Sequence, residues 1–395
     1  MKQQHQRRDF LKKFGLASMP LLLPNVAAAT IPNQGKKAST QPLVNFIYDG
    51  FFFEPNEYLK KLHEINEAKT IEPDFYGVGG ATTALEERFK ELTGKEKAIY
   101  LPTGTMANQL AIKLLSGNKT KVLAPENSHV FRDEADAAQS VHGKRLIPVG
   151  KGKAHFELAD LKNTIAYLHQ GEVFRSGLGA VVIENPVRRA DGRFVPRETI
   201  KKIATYCKQN GYGLHLDGAR LHLAAAYSGV SVKEYASYFD TVYISLYKYL
   251  HAAGGAILCG ETKLIDQIAH QIKILGGTTF QTWTNTSVAL HYLEGIESRW
   301  EKVKKNATQL IESLNKLKGV SIETLENGSN RYHMRLDEAI NFKKLATYLS
   351  NTHQIWIGGP NEDGIIRFTV NESLLTRPLK NIMTAWKQGV SAARS

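Results

Sequence analysis

Apolar residues fall along this chain in short runs bounded by glycine or turn residues, and several of the runs end on one charged side chain. Gly179-Ala180-Val181-Val182-Ile183 leads into Glu184, Gly213-Leu214-His215-Leu216 into Asp217, and Thr241-Val242-Tyr243-Ile244-Ser245-Leu246 into Tyr247-Lys248. Runs of this kind, with little polar alternation, predict strands covered on both faces, as in a parallel sheet. Ala98–Leu101, Val122–Ala124 and Gly254–Gly260 predict further strands. Helical spacing lies between them: Ala84–Thr93 with Thr83 as its cap, Met106–Leu115, and Pro196–Asn210. The alternation predicts an α/β large domain with a mostly parallel sheet. From about Asn285 the pattern changes to long amphipathic helices through Trp300 and Leu317. Strands at Ser321–Leu325 and Arg331–Leu336 follow, then the segment Gly364–Thr369 and a last helix, Leu379–Val390, which together predict a smaller C-terminal α+β domain. This reading divides the chain into a leader (1–29), an N-terminal arm (30–70), a large domain (71–285) and a small domain (286–395).

Composition narrows the class. At 395 residues with 42% hydrophobic side chains, the chain can bury a large core. The net charge is +13, and the first 29 residues, with five basic side chains and one acid, leave +9 for the rest. Lys and Arg are dispersed, which argues for solvated surface and against nucleic acid as a partner. The N-terminus reads Arg7-Arg8-Asp9-Phe10-Leu11-Lys12-Lys13, then an apolar stretch to Val26 broken by Pro20 and Pro24, then Ala27-Ala28-Ala29. It resembles a twin-arginine export signal cleaved between Ala29 and Thr30, and it is too short and proline-broken to serve as a stable membrane anchor. The twin-arginine translocase as partner and a periplasmic location are the expectations that follow. Two cysteines, Cys207 and Cys259, cannot build a disulfide framework and sit in apolar patterns.

The chemistry is concentrated between His215 and Gly255. A lysine at a strand end among apolar neighbours loses part of its preference for the ammonium form and can add to an aldehyde. Pyridoxal 5'-phosphate (PLP) is such an aldehyde, and its ring serves as an electron sink while a fixed carboxylate keeps the pyridine nitrogen protonated. Lys248 and Asp217 supply that pair. A lone lysine after a strand is more often a solvated terminus; the Asp217-Gly218-Ala219-Arg220 strand end, one crossover earlier, is what turns the reading toward a cofactor. Thr103-Gly104-Thr105 opens a helix, where backbone N–H groups and hydroxyls can hold a phosphate or serve only as an ordinary cap.

With these residues in hand, the chain resembles the threonine aldolase branch of the β-eliminating lyases, PLP enzymes of the aspartate aminotransferase fold (fold type I). The likeness rests on His215-Leu216-Asp217-Gly218-Ala219-Arg220, the lysine at similar spacing, Thr103-Gly104-Thr105-Met106, and Ser128-His129-Val130-Phe131. It implies that Lys248 holds PLP, that Asp217 meets the ring nitrogen, that His129 stacks on the ring, and that Thr103, Gly104 and Thr105 hold the phosphate. It further implies that Arg220 and Arg367 bind the α-carboxylate of an amino-acid substrate, with no metal ligand assigned, and that the chain forms a homodimer or dimer-based homotetramer. Arg220 has a simpler alternative, an ion pair with a nearby acid.

The chain also departs from the family. Tyr48 stands where a substrate-touching serine is usual, Val187 where a histidine meets the substrate β-hydroxyl, and Phe280 where an arginine helps hold phosphate across the dimer. The expected activity is cleavage of an L-β-hydroxy amino acid to glycine and an aldehyde. β-Elimination on another amino acid, with Lys248 as base, and a non-catalytic amino-acid- or PLP-binding role are the alternatives.

Overall fold

In the computed structural model, residues 41–51 and 53–394 are described. The twin-arginine segment and its cleavage site lie outside the described residues. The strands are β1 (Val44–Asn45), β2 (Lys97–Leu101), β3 (Lys121–Pro125), β4 (Arg145–Val149), β5 (Leu178–Glu184), β6 (Gly213–Asp217), β7 (Thr241–Ser245), β8 (Ala256–Gly260), β9 (Val320–Glu323), β10 (Arg331–Leu336), β11 (Ile355–Trp356) and β12 (Ile366–Thr369). Seven of them form one sheet in the order β2-β8-β7-β6-β5-β3-β4. From β7 to β4 the strands are parallel, and β8 runs antiparallel to both of its neighbours. Every residue of β3, β5, β7 and β8 is buried, the result of helices on both faces, which is why these strands read as unbroken apolar runs. A three-stranded antiparallel sheet, β12-β10-β9, carries the C-terminal part.

Because β2 and β7 both run antiparallel to β8, β2 points the same way as the parallel strands. The carboxyl ends of β2, β3, β5, β6 and β7 therefore share one edge with the amino end of β8, and the loops there converge.

Sequence and structure differ at the start of one helix. It spans Gly80–Thr93, not Ala84–Thr93, and Thr83 lies inside its first turn. Gly79 and Gly80 take left-handed conformations (φ 89° and 51°) that turn the chain early, and the Thr83 hydroxyl accepts the Gly79 N–H at 2.9 Å. The cysteines are both free and buried in the core.

The N-terminal arm is built into the C-terminal part. β1 pairs with β11, Phe46 stacks on Phe368 with ring centroids 4.1 Å apart, and Trp386 meets both rings edge-on. Asn371 donates to the carbonyls of Asn45 (3.0 Å) and Tyr48 (2.9 Å). Immediately afterwards the arm crosses the loop that follows Lys248. Gly50 permits the crossing, since a Cβ there would lie 2.6 Å from the Lys248 carbonyl oxygen and 2.5 Å from the His251 ring. Among the described residues no helix is long and apolar enough to cross a membrane.

Candidate active site

The convergent loops enclose a cavity of about 390 Å³ lined by Thr103, Gly104, Thr105, His129, Asp217, Arg220 and Lys248, together with Glu134, Glu184, Tyr243 and Tyr247. Residues separated by more than a hundred positions meet here because each follows the carboxyl end of a strand on the shared edge. Thr103 caps the helix Gly104–Ser116, its hydroxyl accepting the Met106 N–H at 3.2 Å. Gly104 is needed for that helix to seat on the sheet, since a Cβ would lie 2.0 Å from the Tyr243 hydroxyl oxygen. The result is a helix N-terminus with two threonines lining the cavity, a setting suited to a phosphate.

One turn further along the same helix a buried polar chain runs through Asn108. Its Nδ2 donates to Glu134 Oε1 (2.8 Å) and Asp217 Oδ2 (3.1 Å), and its Oδ1 lies 3.0 Å from His215 Nε2. Only this orientation of the amide presents hydrogens to both carboxylates, so His215 donates from Nε2 and takes the Thr241 hydroxyl at Nδ1 (2.8 Å). Burial pushes the His215 pKa down to about 4, keeping it neutral. Glu134 Oε1 also meets His129 Nδ1 at 2.9 Å. Burial by itself lowers the His129 pKa, but the Glu134 hydrogen bond and the Asp217 charge outweigh it and the net shift is upward. Among the described residues His129, Glu134 and Asp217 bring ligand atoms within 4.8 Å of one another, and the Asn108 NH₂ bonds both carboxylates as a cation would.

Glu184, at the end of β5, accepts the backbone N–H groups of His129 (2.6 Å) and Arg188 (2.7 Å), locking two cavity loops together. Burial, then the nearby Asp217 charge, pushes its pKa up to about 7. Lys248 is displaced the other way: burial, then Arg220, brings its amine down to about 8, and its Nζ lies 5.0 Å from the Tyr247 ring centroid. An amine in that range has an accessible free-base form near neutral pH.

Arg220 is not open-handed. Its Nε and Nη2 donate to Asp49 Oδ1 (3.0 Å) and Oδ2 (2.6 Å), a bidentate pair between the arm and the end of β6. The Tyr249 hydroxyl adds a third hydrogen bond to Asp49 Oδ1 at 3.2 Å. Burial would raise the Asp49 pKa, but Arg220 holds the carboxyl well below the ordinary range.

The structure thus brings Lys248, Asp217, His129, Thr103, Gly104, Thr105 and Arg220 to one cavity and leaves Arg367 outside its lining. Arg367 pairs with Asp191 through Nε at 2.7 Å, and its side chain is 58% exposed. Val187 is buried in the main core with its N–H on the Arg193 carbonyl, so Pro186, not Val187, lines the cavity. Tyr48 turns toward Trp356, with ring centroids 6.5 Å apart. Phe280 joins Phe75 and Tyr76 in an exposed aromatic cluster. Sequence reasoning missed Asn108, Glu134 and the Asp49 partner of Arg220. Glu134, five residues after His129, was the most findable; Asp49 is 171 positions from Arg220 and carries no local signal.

A cavity at the carboxyl edge of a doubly covered sheet, holding a lysine and a carboxylate, defines the class: an α/β enzyme of the PLP fold type I, with a seven-stranded, mostly parallel sheet and a smaller C-terminal antiparallel sheet. The beta-eliminating lyase family matches over residues 62–336, and the chain belongs to that family, whose members are PLP-dependent. Within it the chain is threonine aldolase-like. It is 31% identical to the low-specificity L-threonine aldolase of Candida albicans over 61% of this chain and 64% of that one. It is 28% identical to a probable Schizosaccharomyces pombe enzyme of the same name over 74% and 75% of the two chains. The fold matches a crystal structure of a candidate L-allo-threonine aldolase from Listeria monocytogenes with a TM-score of 0.73 and 24% identity, covering 88% of this chain and 96% of that one.

Replacing Asp49 with Asn leaves the buried Arg220 without its countercharge. The expected loss is about 3 kcal/mol at pH 7, read from urea unfolding midpoints. Because the folded-state pKa of Asp49 is depressed, the gap between wild type and variant is present above about pH 4 and narrows as pH falls further. Equal stability of the two proteins at pH 7 contradicts the assignment.

Proposed function

We propose that the chain is a PLP-dependent carbon-carbon lyase that cleaves an L-β-hydroxy amino acid to glycine and an aldehyde. One observation carries the reading: a lysine amine brought down to about 8, the Asp217 carboxylate and an acid-oriented histidine line the same cavity. The donor set fits PLP. Lys248 would hold its aldehyde carbon, Asp217 its ring nitrogen, and the Thr103–Thr105 helix start its phosphate, with His129 as a further wall. When bound, PLP supplies an electron sink for negative charge developing at the substrate Cα.

The chain's own residues do the rest. Glu134 holds the His129 Nδ1 hydrogen, which leaves Nε2 as the basic nitrogen for the substrate β-hydroxyl proton. Asn108 fixes Glu134 and Asp217 at once, so both carboxylates keep their positions while the proton moves. The substrate carboxylate is met on the Arg220 side of the cavity, and anchoring it there sets which Cα bond stands in line for cleavage. The polar partner missing at Val187 leaves His129 as the group to handle the hydroxyl.

The same proposal includes export and assembly. Arg7-Arg8 followed by Phe10-Leu11-Lys12 and Ala27-Ala28-Ala29 supports passage through the twin-arginine translocase into the periplasm. The exposed aromatic cluster of Phe75, Tyr76 and Phe280 supports a homodimer or dimer-based tetramer, since such a patch is the kind a subunit covers.

Incubation with β-hydroxy amino acids is expected to give equimolar glycine and aldehyde; pyruvate with ammonia would assign β-elimination in its place. Replacing Glu134 with Gln removes an interaction that raises the His129 pKa, so the acid limb of kcat/KM is expected to move to lower pH. A limb that stays put would free His129 of the base role. Exported protein is expected to begin at Thr30, and an intact Met1 N-terminus on periplasmic protein would refute the signal.

A further inference from the structure

Outside the cavity, a buried polar cluster closes on the loop that carries Lys248. That loop leaves β7 at Leu246 and is pinched shut where the Ala252 N–H donates to the Leu246 carbonyl at 3.1 Å. Three consecutive arm residues lie along it. Asp49 takes the Tyr249 hydroxyl at 3.2 Å, Gly50 passes the Lys248 carbonyl too closely to admit a Cβ, and the Phe51 N–H donates to His251 Nδ1 at 3.3 Å. The last contact fixes the tautomer. With Nδ1 accepting, Nε2 carries the hydrogen and donates it to Glu372 Oε2 at 3.1 Å. Glu372 Oε1 takes Arg299 Nε at 3.2 Å, from the helix Ile296–Asn315.

The side chains of His251 and Glu372 are both buried. Burial lowers the His251 pKa and outweighs the pull of Glu372, and Arg299 adds to the downward shift, so the ring is neutral as this hydrogen bonding requires. His251 also takes a left-handed backbone conformation (φ 55°) that L side chains rarely adopt, and Phe51 and Tyr292 pack on its ring with centroids 4.6 and 4.5 Å away. A residue kept in an unfavourable backbone conformation by contacts on several sides is one whose place the surroundings over-determine. Neighbouring residues of the C-terminal part hold the two segments of this crossing: Asn371 takes the arm at the carbonyls of Asn45 and Tyr48, and Glu372 takes the loop. None of His251, Glu372 and Arg299 lines the cavity, so any effect of theirs on the chemistry passes through the loop.

We propose that His251, clamped between the Phe51 N–H and Glu372, is a positioning residue that sets where the Lys248 amine stands in the cavity. The proposal rests on the reading of Lys248 as the lysine that takes the cofactor aldehyde. With the clamp closed, the loop is held against the arm at both Tyr249 and His251. Without it, the loop keeps only the Tyr249 hydroxyl on Asp49 and is free to drift. Burial is the largest cause of the low Lys248 pKa, so a drifting loop lets water reach the amine and returns it toward its ordinary value. The ammonium form then prevails, and it cannot add to an aldehyde. Arg220, Asp217, Asp49 and Glu184, the charges that act on the amine, are untouched by changes at His251.

The experiment reads the amine and not the turnover. Holoenzyme is freed of PLP with hydroxylamine, PLP is added back, and the rate at which visible absorbance returns is followed against pH. Wild type is expected to gain rate with a midpoint near the Lys248 pKa of about 8. His251→Gly removes the ring and suits the left-handed backbone, so the fold is kept, and its midpoint is expected about one pH unit higher. His251→Asn also tolerates that backbone and can still accept the Phe51 N–H, but it is too short to reach Glu372; its midpoint is expected between the two. Asn327→Gly, which relaxes a left-handed position (φ 50°) outside the loop, is expected to match wild type. Thermal unfolding of the same proteins separates the roles. His251→Gly with a lowered Tm and the wild-type midpoint makes the histidine structural only and overturns the proposal, as does an equal upward shift in Asn327→Gly. A wild type that regains no visible absorbance overturns this proposal together with the cofactor reading beneath it, whereas a wild type that regains it beside an unshifted His251→Gly overturns the clamp alone.

Discussion

A guanidinium can remain at the buried end of a strand only if a carboxylate meets it, because an unpaired ion there costs several kcal/mol. For Arg220 that carboxylate comes from Asp49, which reaches it from an arm anchored in the C-terminal part of the molecule. The arm is held by β1 against β11, by the Phe46–Phe368–Trp386 stack and by Asn371, and it threads past the Lys248 loop at Gly50. The ion pair is therefore more than a local contact. It fixes the small sheet, the lysine loop and the end of β6 in one register, and the shape of the cavity between them follows from it.

The sheet does the complementary work on the other side of the cavity. Parallel strands deliver their carboxyl ends to one edge, and β2, though bonded only to the antiparallel β8, shares that direction. Charged groups placed there are shielded from water by the helices on both faces, so their interactions are strong and opposed shifts arise close together. Burial lowers the Lys248 amine to about 8 and raises the Glu184 carboxyl to about 7. The Asn108 amide keeps two carboxylates side by side by giving each a hydrogen, an arrangement that apolar packing could not hold.

Legibility in the sequence followed the range of the interactions. Asp217, Glu184 and Lys248 were visible because an apolar run ending in a charge is a local pattern, and a parallel sheet places such ends together. The helix start at Gly80 was misread because a threonine resembles a cap, whereas the turn is made by backbone conformations available to Gly79 and Gly80. Val187 was read as standing where the family has a histidine beside the substrate β-hydroxyl; in the structure its side chain packs into the core, and Pro186 lines the cavity. The ion pair weighed for Arg220 is present, but nothing in the sequence singled out Asp49 as its acid, since no periodicity links residues 171 positions apart.

The departures from the family then acquire a common physical reading. Tyr48 is turned to Trp356, Val187 is buried and Arg367 is paired with Asp191 in solvent, so these three family positions present no side chain to this cavity. A site that lost those contacts and kept its lysine, its carboxylate and its histidine would be chemically competent and poorly selective.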